Sequence, residues 1–313
     1  MRLEQLYYIV EIADTGSFTA SSERLFVSQP SISQSVNALE KELDVAIFKR
    51  SRSGAIPTEA GKLIIEHARA ILNEINEIKS LSVQNDAELK GFLNVAAVPS
   101  MCYQILPCSI ARFKAKYPNV HVRIWEGGSE RIMSALEKGD VDFGLVKKPE
   151  DAYLRENKLS FKPCIFSRLY ALVSQDSPLA GRKSITYQEL LDWQLVLYTS
   201  EYAIHHTIVS ELEKYGTPNI LATVRNPQTI KRFVLQTNSV GFGPSISWDN
   251  DDDVHSGRIV PLLVEDSAPS QFGILYRKNS GPSVAGQKLM KEVQDYTERL
   301  TLNEGPEAGR SMK

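Results

Sequence analysis

The sequence predicts an α/β protein headed by an all-α winged helix-turn-helix, and three observations carry that prediction. Residues 17–43 read as two short helices around a tight turn, and residues 58–86 as one long helix without proline. From Gly91 onward, short apolar strands alternate with amphipathic helices. Such alternation means an α/β fold with largely parallel sheets.

Residues 2–14 carry Leu3, Leu6, Ile9, Val10 and Ala13 at helical spacing and supply a helix to back the pair that follows. Ser17, after Gly16, is a good N-cap for a helix running to about Leu25. Phe26-Val27 leaves room only for a tight turn. The second helix starts at Ser28-Gln29-Pro30, where a proline near the first position loses no hydrogen bond. Ile32, Val36, Leu39 and Leu43 then share one face, with Pro30, Gln34, Asn37 and Lys41 opposite and Ser33 to one side. The outer face is polar and free of acid until Glu40 and Glu42. An ordinary helical hairpin can imitate this pattern. As a helix-turn-helix, its second helix would enter the major groove by its N-terminal half, where Gln29, Ser33 and Gln34 sit. Gln pairs with adenine in bidentate fashion, and Ser can bond to almost any base edge.

The stretch after the pair decides between these readings. Residues 46–61 form a short extended piece, a basic turn (Lys49, Arg50, Arg52) and a return strand, ending in Thr58-Glu59-Ala60-Gly61. With Ser17-Phe18, Ser28-Gln29-Pro30, Leu39-Glu40, Ile47-Phe48 and Arg50, residues 1–61 resemble the winged helix-turn-helix of LysR-type transcriptional regulators. Ser21 stands where Ala is common, Asp44 replaces the usual Gly after the second helix, and Gln34 replaces a frequent Arg. The second wing Arg is Arg52 rather than one residue later. The resemblance implies DNA contacts from Ser28, Gln29, Pro30, Ser31, Ser33, Gln34, Asn37, Lys49, Arg50 and Arg52.

Composition agrees with a globular protein: of 313 residues, 42% are hydrophobic and 24% charged. No apolar run is long enough to cross a membrane and no signal-peptide pattern opens the chain, so a cytoplasmic protein with no membrane partner is expected. The net charge of −2 does not favour nucleic acid. Residues 1–57 hold six bases against seven acids. Phosphate contact therefore has to come from the basic cluster at the wing.

Within the long helix, Ile64, Ala68, Ile71, Ile75 and Ile78 are spaced as a coiled-coil seam. A lone helix of this length has little to pack on except a partner helix, so this face is expected to dimerise. The family resemblance agrees, and it implies a dimer of dimers that contacts RNA polymerase. Asn85–Glu88 marks the boundary of the next unit. Domains are therefore expected at 1–58, 59–88 and 89–302, with a disordered tail at 303–313.

The alternation begins with a strand at 92–98, a helix at 103–116, a strand at 120–126, a helix at 129–138 and a strand at 141–146. Strands at 159–165 and 169–174 follow, and further pairs run on to a helix at 282–301. This half resembles the family's effector module, which has the periplasmic-binding-protein fold: two Rossmann-like subdomains joined by two crossing strands. The Gly139-Asp140-Val141-Asp142 turn is its best local match. The crossings are expected near 161–166 and 265–271, giving subdomain I as 91–162 plus 268–301 and subdomain II as 163–267.

No pattern supports an enzyme, a metal site or a cofactor. There is no Gly-x-Ser-x-Gly elbow, and Gly54 to Gly61-Lys62 has the wrong spacing for a phosphate loop. Gly241-Phe242-Gly243 reads as a backbone bend. His205-His206 point about 100° apart on a helix, and the 249–253 acidic run reads as a solvated loop. Cys102, Cys108 and Cys164 are odd in number and lack zinc spacing. Cys102 and Cys108 invite comparison with peroxide-sensing family members, but an intact helix would hold them more than a turn apart, as small buried hydrophobes.

In open α/β sheets ligands bind at the carboxyl ends of strands. Here those ends are 98–101, 127–129, 146–148 and, in subdomain II, 199–202. Ser100, Met101, Ser129, Lys147, Thr199, Ser200 and Tyr202 are thus expected to hold an effector, with the two Ser and Lys147 suited to a carboxylate or other small anion. The expected protein is a homotetrameric, effector-binding regulator of transcription on double-stranded DNA. A solute-binding protein would need a signal peptide and no DNA reader. A ligand-independent or cysteine redox-responsive regulator is the remaining alternative.

Overall fold

The structure, a computed structural model, describes residues 1–51, 54–81, 89–248, 251–278 and 281–303. Two compact units make it up, one comprising Met1–Asn85 and Lys138–Asp140, the other Asp86–Glu137 and Val141–Lys313.

The first unit opens with α1 (Leu3–Thr15), α2 (Phe18–Leu25) and α3 (Gln29–Leu43). Ser17 caps α2 by accepting from Ala20 N, and Ser28 caps α3 by accepting from Ser31 N. Between them Phe26 takes a left-handed conformation at φ 54°, which folds the turn without glycine. Asp44 does the same at φ 51° where α3 ends. Ile32, Val36 and Leu39 of α3 are fully buried with Ile9 and Ile12 of α1. Gln5 Nε2 donates to Ser35 O at 3.1 Å and fixes α1 against α3. The wing is an antiparallel hairpin of β1 (Phe48–Ser51) and β2 (Gly54–Pro57), with Lys49 opposite Ile56. Glu40 Oε1 accepts from Ile47 N at 2.6 Å and Phe48 N at 3.0 Å, so this acid ties α3 to the wing.

Helix α4 (Glu59–Leu81) packs along α1, which changes the expected seam. Ala68 is 1% exposed and lies in the core of this unit with Ile65 and Leu72, and Ile64 packs partly against that core. Ile71 and Ile78 are exposed, as is Leu63. The first half of α4 is therefore not a lone helix, and its exposed apolar side chains border the buried face.

In the second unit, β3 (Gly91–Ala97), α5 (Pro99–Gln104), α6 (Leu106–Lys116), β4 (Val120–Glu126), α7 (Ser129–Lys138), β5 (Phe143–Lys147) and α8 (Asp151–Glu156) lead into β6 (Leu159–Ser167). Next come β7 (Leu169–Ser174), β8 (Ser184–Ile185), α9 (Tyr187–Leu190), β9 (Leu195–Tyr198), α10 (Ala203–Leu212), β10 (Ile220–Val224) and α11 (Pro227–Thr237). The chain ends with β11 (Gly241–Pro244), α12 (Asp252–His255), β12 (Ile259–Val264), β13 (Ser270–Arg277) and α13 (Val284–Asn303).

Subdomain I is a five-stranded sheet in the order β4-β3-β5-β13-β6, and subdomain II is built on the order β11-β7-β12-β8. The parallel β9–β10 pair joins the second sheet through a bridge between Leu195 and Val240. Both sheets are mixed rather than largely parallel. β13 runs antiparallel to β5 and β6, and β7 antiparallel to β11 and β12, because each crossing returns the chain in the opposite direction. Pairing with β13 keeps β6 in subdomain I as far as Ser167, so the first crossing is at Arg168 and not within 161–166. The second lies between Val264 and Ser270.

Four local expectations change. The 103–116 helix is two helices, broken at Ile105 ahead of Pro107, and Cys102 is half-buried and Cys108 exposed rather than buried. Gly241 and Gly243 lie in a strand, where an added Cβ would stand 2.3 Å from Ile230 Cγ2 and 2.2 Å from Trp248 Cζ2. Those glycines make room for packing and not for a bend. Residues 249 and 250 of the acidic run lie outside the described residues, but Asp251 and Asp253 are not solvated: Asp251 is 8% exposed and accepts from Lys231 Nζ at 2.7 Å, while Asp253 accepts from the same amine at 2.9 Å. A lysine buried in α11 needs those counter-charges. The last helix extends to Asn303, and the rest of the expected tail lies outside the described residues. Among the described residues no helix is long and apolar enough to cross a membrane.

Candidate DNA-reading face and effector cavity

Burial of Ile32, Val36 and Leu39 turns the opposite face of α3 outward. A shallow groove there is lined by Gln29, Pro30, Ser33, Gln34, Asn37, Ala38 and Lys41. Ser28 and Ser31 are exposed at the start of the same helix, and Lys49 is exposed on the wing. The Arg50 side chain and all of Arg52 lie outside the described residues. Ala38 and Lys41 extend the expected set toward the C-terminal end of α3. The surface offers amides, hydroxyls and two amines, the groups that pair with base edges and phosphates.

In the second unit, a cavity of about 260 Å³ opens between the subdomains. Ser100 and Ser129 reach it from the first residues of α5 and α7, Lys147 from the end of β5, and Tyr202 from the turn before α10. The other three expected residues do not line it. Met101 is fully buried in the core of subdomain I. Thr199 Oγ1 donates to Glu201 and Ser200 O bonds to His206 Nε2 at 2.7 Å, so both build the turn that carries Tyr202. His205 Nδ1 bonds to Tyr198 O at 2.7 Å, so the two histidines serve the backbone.

The lining also includes Arg168, Tyr187, Tyr198, Thr207, Glu211, Asp266 and Ser267, none of them expected from the sequence. Most of its polar groups are already engaged. Thr207 Oγ1 donates to Ala203 O, Ser267 Oγ to Val264 O, and Ser167 Oγ meets Ser245 Oγ at 3.0 Å. Among the described residues, the Ser100 and Ser129 hydroxyls and the Lys147 amine have no such partner. Burial pulls the Lys147 pKa below the ordinary lysine value, and no acid offsets that. Beside the cavity the subdomains meet backbone to backbone: a Cβ on Gly128 would stand 2.0 Å from Glu201 O.

A helix-turn-helix with a wing, carried on one chain with a two-subdomain α/β unit around a cavity, defines the class of DNA-binding regulators. Residues 3–62 match the family described as "Bacterial regulatory helix-turn-helix protein, lysR family", and residues 86–298 match "LysR substrate binding domain". The chain belongs to the LysR family of DNA-binding transcriptional regulators. It is 34% identical over 291 residues to the HTH-type transcriptional regulator CysB of Haemophilus influenzae, covering 90% of this chain and 86% of the relative. It is 26% identical over 249 residues to AlsR of Bacillus subtilis, covering 78% of this chain and 81% of that one. Among solved structures, a full-length OxyR from Pseudomonas aeruginosa superposes with a TM-score of 0.75 at 24% identity over 94% of each chain. Full-length CbnR in complex with its target DNA gives 0.62 at 20% identity, over 94% of this chain and 99% of that one. These structural likenesses speak for the fold.

Proposed function

We propose that this regulator responds to a small anion, such as a carboxylate, bound in the cavity between its α/β subdomains. The observation that carries this is Lys147, a partly desolvated cation in the cavity lining with no acidic partner among the described residues. An anion there would restore the interaction that burial removes. The unpartnered hydroxyls of Ser100 and Ser129 supply donors beside it. Effector binding would draw the subdomains together and shift the population of subunit arrangements, and with it the spacing and bend of the bound DNA sites. On the DNA, Gln29 and Ser33 read bases while Lys49, Arg50 and Arg52 hold phosphates. The exposed Leu63, Ile71 and Ile78 stripe of α4 supports pairing with a second copy, and two such pairs make the tetramer.

The redox alternative draws less support. Burial pushes the thiols of Cys102 and Cys164 up to about 11, which leaves little reactive thiolate at neutral pH. Isothermal titration of the full chain with small carboxylates tests the proposal. Ser100→Phe, which fills the cavity, should abolish the heat and leave basal DNA binding intact. Equal binding to both forms would exclude the cavity as the effector site.

A further inference from the structure

We infer that the effector carries two separate anionic groups on one small framework, one met by Lys147 and the other by Arg168. This rests on the reading of the cavity as the effector site and goes on to specify the chemical class.

Four charged side chains line the cavity: Lys147, Arg168, Glu211 and Asp266. The two acids are engaged. Glu211 Oε2 accepts from Lys214 Nζ at 2.6 Å, and both oxygens of Asp266 accept from Tyr187 N, at 3.2 and 3.1 Å. The two cations are not. Neither forms an ion pair among the described residues, and Arg168 Nε is buried without any hydrogen-bond partner. A buried donor that bonds to nothing carries its full desolvation penalty, and a charged one carries more. Glu211 is thus balanced by a cation and Asp266 holds a neutral amide, while both cations are left to whatever fills the cavity.

The cations are also anchored well apart in the sheet. Lys147 pairs with Phe272 on β13, and Phe272 pairs in turn with Ile165 on β6, three residues before Arg168. Two inter-strand steps and three residues along the strand separate the two Cα atoms by roughly 14 Å. Separate anchors suit one carboxylate at each cation, and Arg168 offers the planar fork that holds a carboxylate in bidentate fashion.

Arg168 also occupies the first crossing between the subdomains, and its carbonyl accepts from Ser245 N at 2.9 Å. The second anionic group would therefore be held at the hinge, while the first is held at the rim of subdomain I.

The test is calorimetric titration of the full chain with succinate and glutarate, beside butyrate as the monoanion and γ-aminobutyrate as the zwitterion. A dicarboxylate should bind about tenfold or more tightly than butyrate. Arg168→Gln should bring the dicarboxylate down to the level of butyrate. Arg168→Lys should keep part of the preference, which separates loss of charge from loss of fold. Lys147→Gln should weaken dicarboxylate and butyrate alike. Butyrate binding as tightly as the dicarboxylates, or a preference that survives Arg168→Gln, would overturn the inference and leave the cavity reading standing. Tightest binding by γ-aminobutyrate would overturn it in favour of a zwitterion. Binding of none of the four would remove both readings.

Discussion

Lys147 holds a charge only below its own pKa, and burial sets that pKa lower than an exposed lysine's. An anion bound to it prefers the protonated amine, so affinity is full below that pKa and falls as the pH rises through it. The fall should therefore begin at lower pH than for an exposed lysine. Titrations from neutrality to about pH 10 should show this loss, and Lys147→Arg, whose charge persists, should flatten it. On the DNA side, Gln29→Ala should cost about 1–3 kcal/mol at the cognate site and relax specificity there. Lys49→Ala should weaken all sequences alike and reduce the salt slope by about one. Competition binding with cognate and random duplexes over a salt series separates the two roles. That Ser100, Ser129, Lys147 and Tyr202 line the cavity was legible in the sequence because each ends or follows a strand, where α/β sheets open. Arg168, Tyr187 and Tyr198 were not, because they reach the cavity through long-range folding that no local spacing encodes. Asp251 misled for the same reason: its partner Lys231 lies on another helix.

Helix α4 shows how far periodicity reaches. The repeat identified an apolar face but not how that face is divided between the helix's own unit and a partner. The division predicts opposite outcomes for neighbouring substitutions. Ile71→Asp, at an exposed position, should shrink the assembly seen by sedimentation and leave the head folded. Ala68→Asp places a charge in the core and should destabilise the head on the order of 3 kcal/mol or more, read by denaturant unfolding. An unchanged assembly for Ile71→Asp would remove the stripe as an interface. At the start of α7, Gly128 permits the backbone approach to Glu201. Gly128→Ala should prop the subdomains apart and weaken effector binding measured by calorimetry, with DNA binding retained.

Over the whole chain, an effector that binds only the folded cavity adds RT ln(1 + [L]/Kd) of stability, about 2.7 kcal/mol at a hundredfold excess over Kd. The thermal transition of the α/β unit should rise accordingly, and Ser100→Phe should cancel the rise. Strand–helix order announced two subdomains, but strand directions were legible only in part: the antiparallel placement of β13 follows from where the chain returns after its excursion through subdomain II. That return has a consequence for synthesis. Residues Leu169 to Val264, all the strands of subdomain II, leave the ribosome as one continuous run, whereas the sheet of subdomain I lacks β13 until Ser270–Arg277 emerge. Because β13 lies between β5 and β6, the host sheet stays open with unpaired edges on both sides of the gap while the inserted subdomain completes itself. The later-encoded subdomain is thus the first able to finish folding. A nascent chain stalled once Val264 has emerged but β13 has not should resist protease across subdomain II and remain sensitive in β6.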